Sequence, residues 1–153
     1  MNATFFLYLQ RILLFNFMTY QKELVFQNKY ITVYYQAQQR ILEVTWTDDG
    51  TMNEESYKEA MLAILQTNNQ YQPLYSLADT RQFLYSISPE VQTWINENIF
   101  TNSENRIIQK YAFVVPTNIF SLVSIQQTME EGDREEKTKY FKSTEEALQW
   151  LLD

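Results

Sequence analysis

The residues best suited to chemistry follow an apolar run in "LYSLADTRQF", residues 74–83. Asp79 offers a carboxylate, Thr80 a hydroxyl and Arg81 a guanidinium, directly after a segment typical of a strand that is buried on both faces. Ligands of open α/β sheets bind in the crevice at the carboxyl ends of the strands. Asp79 and Arg81 are therefore candidates for fixing a small ligand or contacting a protein partner.

Three aromatic residues downstream, Phe83, Tyr85 and Trp94, are candidates for the apolar walls of the same site. The alternative interpretation of the whole segment is structural. Asp79 would then bond the amides of its own turn, Arg81 would pair with Asp79 or another acid, and the rings would pack in the core. The sequence leaves both interpretations open.

The chain has no His and no Cys, which excludes Ser-His-Asp and Cys-His nucleophilic sites, thiolate redox chemistry, disulfides and the usual zinc ligands. Its two glycines, Gly50 and Gly132, are too far apart for a phosphate-binding loop or a dinucleotide fingerprint. Adjacent acids on a helix do not face each other, so neighbouring carboxylates in caps and turns are typical of solvated surface. The sequence predicts no catalytic residue, metal or cofactor, and no enzymatic activity.

The net charge of -7 would repel phosphate backbones, and the Lys and Arg residues are interspersed with acids. Neither nucleic acid nor an anionic membrane is therefore a predicted partner. Aromatic residues make up 16% of the chain, which is high enough to indicate that some rings line something other than core.

The apolar start, "MNATFFLYLQRILLFNFM", is interrupted by Gln10 and Arg11 and lacks a small-residue cleavage site, so it does not fit a secretory signal. We predict an N-terminal arm over residues 1–23, ahead of one domain over residues 24–153. The arm is either an over-extended start whose functional first residue is Met18, or an amphipathic segment that packs on a partner or a membrane surface. No other stretch indicates export, so the predicted location is the cytoplasm.

Apolar periodicity predicts the elements that must position these residues. The alternation in "RILEVTWTDD" places Leu42, Val44 and Trp46 on one face of a strand that pairs with "NKYITVYY". The preceding "ELVF" either extends that hairpin or forms a short strand of its own. Buried strands follow in "LYSLA", which ends where the polar "DTRQ" begins, and in "KYAFVVP", and "TKYF" predicts an edge strand.

Four helices alternate with these strands. The first shows its apolar residues at helical spacing from Tyr57 to Leu65. The third is predicted to end at Gly132 and to turn Ile119, Leu122, Val123 and Met129 inward. The expected N-terminal caps are Thr51 with Glu54, Ser88 followed by Pro89, Thr117, and Ser143 with Glu146.

The order is β, β, α, β, α, β, α, β, α, which predicts a single α/β domain with a mostly parallel or mixed sheet of about five strands covered by about four helices. With this order, "ILEVTWTDDGTMNEESYKEAM", "YSLADTRQF", "ISPEVQTWINENIF", "KYAFVVP" and "YFKSTEEALQWL" resemble the bacterial SpoIIAA-like, or STAS/SEC14-like, domain proteins. The resemblance covers about residues 24 to 152 and lies in the succession of segments.

The resemblance implies a fold shared with anti-anti-sigma factors and with the cytoplasmic domains of sulfate transporters. In anti-anti-sigma factors, a kinase phosphorylates a serine in an Asp-x-Ser-type motif after the third strand. Thr80, directly after Asp79, lies at about that place, whereas Ser86 and Ser88 lie nearer a helix N-terminus, where phosphate is favoured electrostatically.

Three functions remain open at this point. The first is a non-enzymatic signalling module that binds a protein partner through the surface around residues 79–100, with phosphorylation as a switch. The alternative is a carrier or sensor of an apolar small molecule, as the SEC14-like side of the resemblance implies. A large aromatic-lined crevice between the second and third helices would favour the carrier. The third is self-association as a homodimer through an edge strand or the exposed second helix.

Overall fold

The computed structural model of the protein describes residues 2–101 and 107–153, the side chains of 15–20 excepted. One six-stranded sheet forms its centre, with the strands in the same order as in the chain. The first three strands are antiparallel neighbours, and the third to the sixth are parallel. The strands are β1 Glu23–Gln27, β2 Ile31–Gln36, β3 Ile41–Thr47, β4 Tyr75–Gln82, β5 Lys110–Val114 and β6 Thr138–Phe141.

The predicted α/β fold with a mixed sheet is confirmed, and "ELVF" forms a strand of its own. "TKYF" lies at the sheet edge, as predicted. The helices are α1 Ala3–Tyr20, α2 Glu54–Tyr71, α3 Pro89–Ile95, α4 Ile119–Glu131 and α5 Thr144–Leu152, with a π-helical turn Asn96–Phe100 directly after α3 and a 3-10 turn Glu135–Lys137 before β6. Helix α1 lies in the predicted N-terminal arm, and residues 2–14 are all exposed.

The two faces of the sheet carry different layers. Leu42, Val44 and Trp46 face the larger core, where α2, α3 and α4 contribute residues such as Tyr57, Val91 and Ile125. Helix α5 covers the opposite face with Ala147, Leu148 and Leu151. Helices α2, α3 and α4 each connect one parallel strand to the next in the same direction across the sheet. Connections of the same handedness then place all three helices on the same face, which leaves only α5 for the other face.

The caps of two helices differ from the prediction. Asn53 caps α2, because its side chain accepts from Ser56 N–H at 2.9 Å while Ser56 Oγ accepts from Asn53 N–H at 3.0 Å. The hydroxyl of Thr51 is instead bonded to Asp49. Asn118, not Thr117, caps α4. The predicted caps Ser88 and Ser143 are confirmed.

The orientation of α4 also differs from the prediction. Ile119 and Val123, expected inside, are 60% and 41% exposed, and Phe120 between them is 72% exposed. The buried side of the helix carries hydroxyl residues, two of which bond within the helix: Ser124 Oγ donates to the Ser121 carbonyl at 2.9 Å, and Thr128 Oγ1 donates to the Ser124 carbonyl at 2.7 Å. These bonds reduce the cost of burying the two hydroxyls. Ser121 Oγ is buried without a hydrogen-bond partner among the described residues.

Candidate functional site

Strand β4 continues through the segment that the sequence assigned to a loop. Asp79 pairs with Thr45 and Gln82 pairs with Thr47, both in β3. The side chain of Thr80 is buried, with 2% exposure, and its Oγ1 donates to the carbonyl of Val114 at 2.5 Å. The prediction that the strand ends before Asp79 is therefore wrong, because side-chain bonds keep these polar residues in the sheet.

Asp79 and Arg81 project from the face of β4 opposite to Thr80, two residues apart. The guanidinium of Arg81 donates from Nε to Asp79 Oδ1 at 3.0 Å and from Nη2 to Oδ2 at 2.6 Å. Burial acts to raise the pKa of Asp79, but the bonds from Arg81 outweigh it and hold this pKa below its ordinary value. The bonds to Asp79 also raise the pKa of Arg81. The two side chains are each other's partners.

The aromatic candidates separate into two places. Phe83 is buried beneath the helices, with its ring centroid 5.0 Å from that of Trp46 and 5.8 Å from that of Tyr57. Tyr85 joins this cluster, with its ring 5.0 Å from that of Tyr57. Trp94 packs against the same core from α3, with its ring beneath the ammonium of Lys58 on α2, at 5.0 Å from ring centroid to nitrogen. The structure therefore brings Phe83 and Tyr85 into one aromatic cluster and places Trp94 at the edge of the core they share.

An apolar cavity lies between the sheet and helices α2, α3 and α4. Its volume is about 90 Å³. Aromatic rings form much of its wall, and Thr80 contributes a side chain. The cavity begins at Phe83, directly after β4. It extends along that strand to Ser76, near the amino end of β4. The lining also includes Trp46, Tyr57, Phe100, Tyr111 and Phe113, together with aliphatic residues of the three helices.

The three candidate hydroxyls differ in accessibility. Thr80 is buried and bonded within the sheet. Ser88 is half-buried and caps α3, accepting from Val91 N–H at 3.3 Å. Ser86 is exposed in the loop between β4 and α3. Of the three, Ser86 has the hydroxyl that an enzyme can reach without changing the fold.

Asp48, one of two neighbouring carboxylates in the "DDG" turn, was expected at the solvated surface, and the structure instead buries it. Its carboxylate is buried and accepts from three backbone N–H groups: Gly50 at 2.8 Å, Met52 at 3.4 Å and Leu84 at 3.2 Å. One side chain therefore joins the loop after β3 to the loop after β4. The "DDG" turn indicates the two local bonds, whereas no sequence signal indicates the bond to Leu84.

An exposed apolar surface lies beside this loop. We define the α4 patch as Ile119, Phe120 and Val123. The loop after β4 packs on the same helix, since Ile87 N–H donates to Ser124 Oγ at 3.0 Å. Leu84 in that loop is itself 43% exposed.

Within residues 2–101 and 107–153, no three acidic side chains are grouped so that they would hold a metal ion. In the same part of the chain, no helix has the length and hydropathy needed to cross a membrane.

Comparison with known proteins gives one match. A family model described as SpoIIAA-like matches residues 41–152, which span β3 to β6 and all helices from α2 to α5. Strands β1 and β2 lie outside the matched range. No curated protein and no solved structure matches the chain.

Proposed function

The chain belongs to the SpoIIAA-like family of STAS-type domains, and from this membership we propose that it is a regulatory module that acts by binding a protein partner rather than by catalysis. The surface that supports this proposal is the α4 patch, and the exposed Leu84 lies in the loop that bonds to the same helix. Phe120 alone is 72% exposed, and contiguous exposed apolar residues mark interaction sites. This is the end of the molecule where the parallel strands stop, which is where open α/β sheets place their sites.

The chemistry of this surface indicates which kind of partner would bind it. A matching segment would insert apolar side chains at the α4 patch, since buried aromatic residues contribute most to such interfaces. Such a module would act in the cytoplasm.

Ser86 is the proposed switch. It is exposed two residues after Leu84, so a phosphate there would add about two negative charges beside an apolar contact. Desolvating that charge would weaken the complex, so we expect phosphorylation to release the partner. Thr80 would need the end of β4 to open before a kinase could reach it.

A photo-crosslinking amino acid in place of Phe120 tests the surface. We expect irradiation in the native host to give one discrete adduct, measured as a band shift and identified by mass spectrometry. Leu62 on α2 is the matched control position, because it is 47% exposed but lies away from the α4 patch. Added wild-type protein should compete for the adduct, whereas the F120S variant should compete at least ten times less well.

Identical adducts from positions 120 and 62, or equal competition by F120S, would refute the α4 patch as the partner surface. An adduct between two copies of the chain would instead replace the proposed partner by a homodimer.

The cavity favours a second function, the binding of an apolar small molecule. The carrier was expected to show a large aromatic-lined crevice between the helices now labelled α3 and α4; the cavity beneath these helices is aromatic-lined but small, at about 90 Å³. We expect protein purified from its own host to show, by native mass spectrometry, a mass above that of the denatured chain. An apolar compound should appear in the extract, and the excess should disappear on denaturation. Equal native and denatured masses, with no compound extracted, would contradict this second function.

A further inference from the structure

Arg134 lies where α4 returns towards β6, and its guanidinium is held in place on several sides. The guanidinium carbon lies 4.0 Å from the ring centroid of Phe100, a stacking contact. Nη1 donates to Asn96 Oδ1 at 2.9 Å and to the Gly132 carbonyl at 2.9 Å. A side chain of this length would otherwise be free on the surface, so these contacts fix both its position and its plane.

Gly132 leaves the room for this arrangement. A Cβ atom at this residue would lie 1.6 Å from Arg134 Nη1 and 2.3 Å from Asn96 Oδ1. Both groups would have to move if any other residue stood there. Gly132 does not have a positive φ, so close approach rather than backbone conformation requires glycine here.

The charge of Arg134 has no ion-pair partner among the carboxylates of the described residues. Two acidic residues lie nearby, Glu131 at the end of α4 and Asp133 two residues later, but neither forms an ion pair with Arg134. Glu131 accepts from Thr93 Oγ1 at 2.8 Å and from Asn96 at 3.4 Å, and Asp133 is a sequence neighbour without ion-pair contact. Burial lowers the pKa of Arg134, with weaker opposing contributions led by Tyr111. A half-buried cation of this kind gains from an external anion.

The position of Arg134 relates it to the cavity. Phe100, on which it stacks, and Tyr111, whose hydroxyl it faces, both line the cavity. The ring centroids of these two residues are 5.8 Å apart, in an edge-to-face contact. Arg134 therefore borders the end of the cavity where Ile108 and Tyr111 lie.

We propose that Arg134 binds the carboxylate of a small apolar acid whose hydrocarbon part occupies the cavity. This inference rests on the small-molecule function proposed above and names the class of its ligand. A guanidinium presents two parallel donors that match a carboxylate, and the Tyr111 hydroxyl is a further donor beside it. An apolar cavity of about 150 Å³ holds benzene. The present volume of about 90 Å³ suits a chain of roughly four carbons.

Pentanoate and 1-pentanol are the matched probes, because they share the hydrocarbon chain and differ in the charge of the head group. Affinities for the full chain are measured by NMR titration. We expect wild-type protein to bind pentanoate at least ten times more tightly than 1-pentanol. This ratio should fall to about one in R134M and in G132A, which displaces the guanidinium without removing it. K139M, at an exposed lysine on the other face of the sheet, removes the same charge and should keep the wild-type ratio.

The outcomes separate the inference from the function on which it rests. A purely structural role for Arg134 would lower the unfolding midpoint but leave the ratio unchanged in folded R134M. Such a result, or equal affinities for the two probes in wild-type protein, would overturn the inference while cavity binding stands. If wild-type protein binds neither probe, both the inference and the small-molecule function fail. Should R134M not fold, the ratio in G132A decides.

Discussion

Replacing Thr80 by glutamate is expected to unfold the domain, not to mimic a phosphorylated state. Thr80 is 2% exposed, and its side chain points from β4 into the larger core, beside the cavity. A carboxylate there would lose its hydration and meet no cation among the described side chains that line the cavity, which costs about 3–5 kcal/mol. The bond from Thr80 Oγ1 to Val114 would be lost as well. Domains of this size have only about 5–15 kcal/mol of total stability.

Two further variants separate the effect of the buried charge in T80E from the loss of the hydrogen bond. Their stability is measured by urea unfolding followed by tryptophan fluorescence. T80V keeps the shape and loses one hydrogen bond, so we expect a loss of about 1 kcal/mol. S86E places the same charge at an exposed position and should leave the unfolding midpoint nearly unchanged. A folded T80E protein with the wild-type midpoint would show that the end of β4 opens in solution, and Thr80 would then be the better candidate for phosphorylation.

Local periodicity was sufficient to predict an element and its buried face where one face of that element is uniformly apolar. The alternation of Leu42, Val44 and Trp46 with polar residues correctly predicted both the strand and its buried face. The spacing from Tyr57 to Leu65 likewise predicted α2 and its packing. In these segments the hydrophobic effect acts on residues that the sequence displays directly, so the pattern determines the orientation.

Helix α4 carries apolar residues on both of its sides, and its orientation was predicted only in part. Met129 is buried as predicted, whereas Ile119 and Val123 are exposed. The structure buries the side of Ser121, Ser124 and Thr128, where the hydroxyls of Ser124 and Thr128 bond to carbonyls of the same helix. The decision depends on bonds such as that from Ile87 N–H to Ser124 Oγ, which join residues 37 positions apart. No local pattern contains that information.

The same limit applies to the candidate site. "DTRQ" has the composition of a turn, yet Thr80 remains in the strand through its bond to a residue of β5. Phe83 could be identified as an apolar residue but not as part of a cavity wall, because a cavity depends on how far three helices stand from the sheet. The contacts of Arg134 join the π-helical turn to the end of α4, so this arrangement appears only in the folded chain.

Replacing Asp48 by alanine is the substitution expected to be most damaging outside the hydrophobic core, at about 3 kcal/mol in urea unfolding. It would leave three backbone N–H groups without their acceptor, and each buried donor left unsatisfied costs about 1–3 kcal/mol. Solvent reaching the loops would offset part of this cost. D48N keeps the shape and one acceptor oxygen, so it should lose about half as much.

Asp49 provides the control for Asp48, since it is the adjacent carboxylate but is exposed, bonding to Thr51 and Lys29 at the surface. D49A should leave the unfolding midpoint close to that of the wild type. Because Asp48 also holds the loop that carries Leu84, D48N should reduce crosslinking at position 120 although Asp48 lies outside the α4 patch. Equal midpoints for D48A and D49A would mean that the two loops keep their positions without the Asp48 carboxylate, held by the backbone bond from residue 48 to Gln82 and by the bond from Ile87 to α4.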